Sequence, residues 1–122
     1  MAAMAEECPH VTAVEMNVSC PNVKEGGITF GTDVKVLGPA VRPVAVRMVY
    51  QTARAVKIPV VGLGGIEKLD DALQFFIAGA SAVQIGTATF YEPRTAETIA
   101  EGLERYMAEN GFASIADLKG DF

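Results

Sequence analysis

A thiol stands between two carboxamides in the stretch Asn17-Val-Ser-Cys20-Pro-Asn22, which follows a short apolar run. The ordinary pKa of a cysteine, about 8.5, is close enough to neutrality for a general base that takes a proton from carbon. Asn17 and Asn22 each offer two donors and one acceptor, which suits a planar imide-type ring. In most proteins such a cysteine is only a small buried hydrophobe, and asparagine beside proline often only makes a turn. Because the three polar groups fall within one short stretch, the sequence favours a catalytic site with Cys20 as the base.

Two further stretches end in glycine, Gly62-Leu-Gly64-Gly65 and Gly86-Thr87. Glycine lets a ligand approach the backbone, and free N–H groups beside a helix N-terminus bind phosphate. The loops after strands 7 and 8 of a (β/α)₈ barrel form a phosphate site of this kind. Glycines are also common in ordinary βα turns, but two such turns one βα unit apart favour phosphate binding. The glycine spacing does not match a dinucleotide-binding fingerprint, and no Gly-Lys-Ser/Thr follows it.

The hydrophobic pattern predicts the elements that position these groups. It predicts an α/β fold in which a parallel sheet alternates with crossover helices. The predicted strands are 12–17, 58–63 and 82–85, and the predicted helices begin at Pro39, Leu69 and Thr95. The helix from Leu69 ends near Ala78 with Leu69, Leu73, Phe76 and Ile77 inward, and the last helix ends at Gly111, before a short capped turn at 114–117.

Composition excludes several functional classes. The chain has 122 residues, 50% of them hydrophobic, which is enough to bury the core of one domain. A net charge of −5 with scattered basic residues argues against nucleic acid or an anionic membrane surface as partner. Cys8 and Cys20 form no CxxC pair and His10 has no neighbour at ligand spacing, so no metal site is expected. With neither a leader nor a membrane span in the pattern, a cytoplasmic location is expected.

The stretch Asn17–Asp33 resembles the active-site strand and loop of class 1 dihydroorotate dehydrogenase, B-type, the NAD-linked form. The resemblance continues through Leu37–Pro43, Arg47–Tyr50, Gly64–Ile66, Ala78–Gln84 and Gly86–Ala88, and so covers nearly the whole chain. It implies FMN-dependent oxidation of dihydroorotate to orotate, a step of pyrimidine (UMP) biosynthesis. The implied fold is a (β/α)₈ barrel, of which this chain would hold strands 4, 7 and 8 with their helices.

The resemblance also implies roles for individual residues. Cys20 would remove the proton from C5 of dihydroorotate, and Asn17 and Asn22 would hold the pyrimidine ring. The residues implied to bind FMN are Asn17, Gly38, Gly64, Gly65, Gly86 and Thr87, the last four largely through backbone amides to its phosphate. Dihydroorotate and orotate are thus the implied small-molecule partners. In the family, a homodimer works with an electron-transfer subunit that carries FAD and an iron–sulfur cluster and reduces NAD.

The chain departs from the family pattern in its length, since a complete barrel takes roughly 200–250 residues. Asp33 is followed at once by Val34–Gly38, whereas the family has two further strands with their helices between these two points. Lys35 lies in no matching motif and receives no role. The sequence therefore predicts one incomplete flavin-binding barrel domain over 1–122. Residues 1–38 would carry the cysteine strand and active-site loop, and 39–122 the phosphate-binding βα units.

Two alternatives to this prediction remain. One is a related flavin barrel like the pyrimidine-reducing domain of dihydropyrimidine dehydrogenase, although Val23-Lys-Glu-Gly-Gly27 favours the dihydroorotate enzyme. The other is a non-catalytic half-barrel, because missing barrel strands leave sheet edges and apolar helix faces without partners. Such a chain would bind phosphate or associate with itself without turning over a substrate.

Overall fold

The computed structural model describes residues 10–16 and 34–120, whose strands and helices alternate as predicted. The strands are β1 (Val14–Met16), β2 (Val60–Leu63) and β3 (Ala82–Gln84), and the α-helices are α1 (Val34–Ala55), α2 (Leu69–Ile77) and α3 (Thr95–Asn110). Two short 3₁₀ helices follow β3 and α3, at Thr87–Phe90 and Ile115–Leu118.

The three strands form one parallel sheet in the order β1-β2-β3. Val14 of β1 is paired with Val60 of β2, and Leu63 of β2 with Gln84 of β3. The prediction of a parallel sheet is confirmed. Because all strands run the same way, the segments that leave their carboxyl ends start from one edge of the sheet, where parallel α/β proteins place their sites.

The two faces of this sheet differ in burial. On one face Val60 is only 2% exposed, and a side chain at Gly62 would meet the ring of Phe75 from α2. Alternation along the strands places the neighbouring residues on the other face. The register groups them there as Glu15, Val61, Leu63, Ala82 and Gln84, all half-buried or exposed. The helices therefore bury one face of the sheet more completely than the other.

Helix α1 begins at Val34, five residues before the predicted start at Pro39. The prediction was wrong because it gave most weight to proline, which disfavours a helix interior. Once Ala45 and Val49 pack into the core, each 1% exposed, tertiary contacts outweigh that local preference. Val44, although it belongs to the same three- and four-residue spacing of apolar residues, is 45% exposed.

Helix α2 has the predicted start and ends at Ile77, close to the predicted Ala78, and Gly79 with φ 108° follows. Leu73 and Phe76 are buried as predicted, but Ile77 is 38% exposed. Phe75, which the pattern left outside the inward face, is fully buried. A short helix wedged between the sheet and its neighbours buries more than one stripe, so a single amphipathic face was too narrow a prediction.

Helix α3 has the predicted bounds and ends in a left-handed Gly111 with φ 74°. Ile99 is buried, and Leu103, Tyr106 and Met107 pack against the core beside it. The predicted capped turn is the second 3₁₀ helix, in which Ser114 and Asp117 form a reciprocal capping box. None of the helices in the described part of the chain is both long and apolar enough to cross a membrane.

Candidate functional site

The two glycine turns lie side by side at the carboxyl edge of the sheet. Gly64 and Gly65 follow β2 with φ of 126° and 70°, values that favour glycine over any other residue. Gly86 and Thr87 follow β3, the neighbouring strand, and Thr87 begins the first 3₁₀ helix. The structure therefore brings together four residues that the sequence predicted to share a site.

Backbone donors at these turns are available to a ligand. Within the described residues, no hydrogen bond takes up the N–H groups of Gly65, Gly86 or Thr87. Gly86 and Thr87 are exposed, and a β-carbon at Gly86 would meet nothing within 4 Å. Unpaired N–H groups beside open space suit an anionic group such as a phosphate.

The first turn is tied to α1 and α2 by a partly buried ion pair. Nη1 of Arg42 lies 2.6 Å from Oδ1 of Asp71, whose side chain is 2% exposed. The same Nη1 donates to the carbonyl oxygen of Gly65 at 3.4 Å. Oδ2 of Asp71 accepts the backbone N–H groups of Glu67 and Lys68 at 3.1 and 3.2 Å. One carboxylate thus caps α2 and holds the arginine that contacts the glycine turn.

Sequence reasoning did not assign Arg42 or Asp71 to the site. Asp71 stands three residues after Lys68, which occupies the N-cap position of α2, and this is the position of the acidic residue in a capping box. That spacing could have identified Asp71 as a capping residue. Nothing in the local sequence pairs it with Arg42, which lies in another helix and is brought near only by packing.

A second contact joins the two turns. Glu67 follows the first turn, and Tyr91 follows the 3₁₀ helix of the second. Burial raises the pKa of Tyr91, and the nearby charge of Glu67 and a hydrogen bond to its carboxylate raise it further. The Glu67 carboxylate and the Tyr91 phenol therefore interact across the space between the two loops.

The remaining predicted site residues divide into two groups. The backbone of Gly38 lies within α1, one helical turn before Arg42 and so on the same side of the helix. Asn17, Cys20 and Asn22 lie outside the described residues. The chain enters that segment from the carboxyl end of β1, at the sheet edge that carries the glycine turns.

An apolar groove of about 570 Å³ lies between α1 and α2, away from the glycine turns. Tyr50 and Ile77 are among its lining residues, and none of the predicted site residues is. Its lining has few polar groups to orient a substrate, so the turns at the sheet edge are the better candidate for the site.

Comparisons with known proteins point to one family. A family model described as dihydroorotate dehydrogenase matches residues 35–107. The catalytic subunit of dihydroorotate dehydrogenase B (NAD(+)) from Geotalea uraniireducens is 36% identical over 189 residues, covering 98% of this chain and 62% of the relative. The corresponding subunit from Trichlorobacter lovleyi is 37% identical with the same coverage. This chain therefore spans about 62% of the length of these relatives.

These alignments are longer than the 122 residues of this chain, so the relatives contain internal positions that have no counterpart here. One place for these positions is between Asp33 and Val34, where the sequence predicts that strands of the family are missing. The family match begins close to this point, at residue 35.

Solved structures share the fold. The DHODH of Eimeria tenella in complex with ferulenol superposes on 98% of this chain and 33% of its own, with a TM-score of 0.74 at 20% identity. Its ligand-free form gives a TM-score of 0.64 over 80% of this chain and 29% of its own, at 22% identity. At this identity the likeness concerns the fold, and the three-stranded parallel sheet is part of a barrel.

Proposed function

Because the chain belongs to the dihydroorotate dehydrogenase family, we propose that it carries the phosphate-binding part of an FMN site and the base that oxidises dihydroorotate. The observation that carries this proposal is the pair of glycine turns at one sheet edge. Their unpaired N–H groups at Gly65, Gly86 and Thr87 fit the phosphate of FMN. The open space beside Gly86 leaves room for it.

In the proposed reaction Cys20 takes the proton from C5 of dihydroorotate while a hydride leaves C6, so the double bond of orotate forms between these two carbons. FMN, when bound, accepts that hydride. Asn17 and Asn22 hold the pyrimidine ring through amide hydrogen bonds, and Asn17 also contacts the flavin. The residues proposed to bind the rest of the cofactor are Gly38, Gly64, Gly65, Gly86 and Thr87.

The proposal extends to partners. The relatives from Geotalea and Trichlorobacter are catalytic subunits of an NAD-linked enzyme, and a catalytic subunit works with others. We propose a homodimer that passes electrons to a subunit carrying FAD and an iron–sulfur cluster, and from there to NAD, in the cytoplasm.

A half-barrel that binds phosphate without turnover is the second candidate. It is favoured by the sheet face that the helices bury less completely. The corresponding face of a closed barrel lies inside the barrel, but here its residues are half-buried or exposed. They are Glu15, Val61, Leu63, Ala82 and Gln84. It is also favoured by the internal positions that the relatives have and this chain lacks.

The deciding experiment is a flavin titration of the purified chain, followed by anaerobic addition of dihydroorotate. Quenching of FMN fluorescence on binding, then bleaching of the visible flavin bands by dihydroorotate, supports the dehydrogenase. Bleaching by dihydrouracil instead supports the dihydropyrimidine dehydrogenase-like alternative. Flavin binding without bleaching supports the half-barrel, and no flavin binding contradicts the proposed function altogether.

Replacing the proposed base gives a sharper test. Cys20→Ala is expected to slow bleaching by about 10²–10⁴-fold, the usual contribution of a general base, with FMN affinity unchanged. Cys8→Ala, which removes the other cysteine of the chain, is the matched control and should bleach at the original rate. Equal rates for the two variants would show that Cys20 is not the base.

A further inference from the structure

The Arg42 guanidinium makes both of its polar contacts through a single nitrogen. Nη1 reaches Oδ1 of Asp71 at 2.6 Å and the carbonyl oxygen of Gly65 at 3.4 Å. Nε is buried and has no hydrogen-bond partner among the described residues. Nη1 therefore donates one hydrogen bond, to the Gly65 carbonyl, and contacts Oδ1 of Asp71 as an ion pair, without the two parallel hydrogen bonds of a bidentate arginine–carboxylate pair.

Holding the Gly65 carbonyl also orients the peptide bond that follows it. The bond is trans, so the N–H of Ile66 points away from the Gly65 carbonyl and therefore away from Arg42. Within the described residues no hydrogen bond takes up this N–H, although Ile66 is only 4% exposed. The unpaired N–H of Ile66 is a further donor at the first turn.

We propose that the Arg42–Asp71 ion pair positions the Gly65–Ile66 peptide so that the N–H of Ile66, together with that of Gly65, binds the phosphate. The identity of the ligand rests on the proposed function. Arg42 acts here as a positioning residue, since its guanidinium is engaged by Asp71 and Gly65 and the contact with phosphate is left to the backbone. Asp71 supports it because the same carboxylate fixes the start of α2 through Glu67 and Lys68.

The test compares FMN with riboflavin, which has the same ring system without the phosphate. Arg42→Gln is expected to weaken FMN binding by about tenfold, the effect of losing one charge-assisted hydrogen bond, and to leave riboflavin binding unchanged. Arg42→Lys should retain FMN affinity, because one ammonium can make both contacts of Nη1. Arg94→Gln, which breaks the exposed pair with Glu97, is the control and should bind both flavins like the unmodified chain.

Arg42→Gln leaves the Asp71 carboxylate buried without its cation, and this variant can fail to fold. The double variant R42Q/D71N removes both charges but keeps two side chains that can hydrogen-bond. It replaces Arg42→Gln in the flavin titrations if that variant does not fold. Equal loss of FMN and riboflavin binding would overturn the proposal, as would an unchanged FMN affinity in both variants.

A second readout does not depend on flavin. The amide NMR signals of Gly65 and Ile66 should shift in R42Q and in R42Q/D71N, and stay in place in Arg42→Lys and Arg94→Gln. If the unmodified chain binds no FMN, the proposed function fails, while these shifts still decide whether Arg42 sets the turn. Signals that move no more in R42Q than in Arg94→Gln would refute the positioning role.

Discussion

The turn after β2 and the turn after β3 both place glycine at the end of a parallel strand, but the fold constrains them differently. In the first, Gly64 and Gly65 have positive φ and the Gly65 carbonyl is held by Arg42, while Gly62 of β2, just before the turn, lies against Phe75. In the second, Gly86 has a φ of −109° and open space where a side chain would project. Close packing and positive φ thus require glycine in or just before the first turn, and neither of these two constraints is present at Gly86.

This difference separates two reasons for finding glycine in a motif. At Gly62, Gly64 and Gly65, packing and backbone conformation already account for the residue. At Gly86 neither a close contact nor a positive φ accounts for glycine, which agrees with the proposal that a phosphate approaches the turn there. A glycine that the folded chain could replace is therefore the more specific indication of a ligand.

The largest effect should come from adding one methyl group to β2, just before the first turn. Gly62→Ala places a β-carbon 2.5 Å from the Phe75 ring, and Phe75 is fully buried and cannot move aside. We expect a loss of about 2–3 kcal/mol in the free energy of unfolding, as for other overpacked cores. Gly86→Ala is the matched control and should change it by less than about 1 kcal/mol. Urea unfolding measures both, and equal losses would remove the distinction between the turns.

A smaller effect should separate backbone strain from ligand binding. Gly65 and Gly111 have nearly the same positive φ, 70° and 74°, but only Gly65 lies in a glycine turn of the site. Alanine at either position should cost about 1–2 kcal/mol of stability, the penalty of a left-handed conformation. Only Gly65→Ala should also weaken FMN binding, by several-fold. Loss of FMN affinity in Gly111→Ala would show that general destabilisation explains both results.

The smallest effect concerns the contact that joins the turns. Glu67→Gln should lower the raised pKa of Tyr91 toward its ordinary value of 10.0, although burial keeps part of the shift. Because the pKa of Tyr91 is raised in the folded state, its neutral phenol stabilises the fold below about pH 10. This contribution to the free energy of unfolding is lost as the pH rises through the raised pKa. Ultraviolet titration of tyrosinate measures this, with Tyr91→Phe to assign the signal. Glu97→Gln is the control, and a shift of equal size there would exclude a specific contact.

The sequence was most informative where local chemistry decides the structure. Helix α3 has the predicted bounds because the apolar spacing around Ile99 is regular and Gly111 ends it with a left-handed cap. The neighbouring positions of Gly64 and Gly86 followed from parallel strand order alone. Each of these features is set within one helix or one unit of successive strand, helix and strand.

The sequence was least informative where distant segments meet. The start of α1 at Val34, the burial of Phe75 and the Arg42–Asp71 pair all depend on which helices pack together, and no local pattern records that. The 3₁₀ helix Thr87–Phe90 was missed because one short turn carries no hydrophobic period. The catalytic roles of Cys20 and its two asparagines remain predictions from the resemblance.

The strand order also implies an order of folding. β2 and β3 are joined through 64–81, a short connection that contains α2, whereas β1 reaches β2 only after 17–59. Loop-closure entropy rises with the length of chain enclosed, and non-local parallel pairing is slow to form. The βαβ unit around Phe75 should therefore assemble first and offer β2 as a template. β1, with three paired residues, would dock last and detach first.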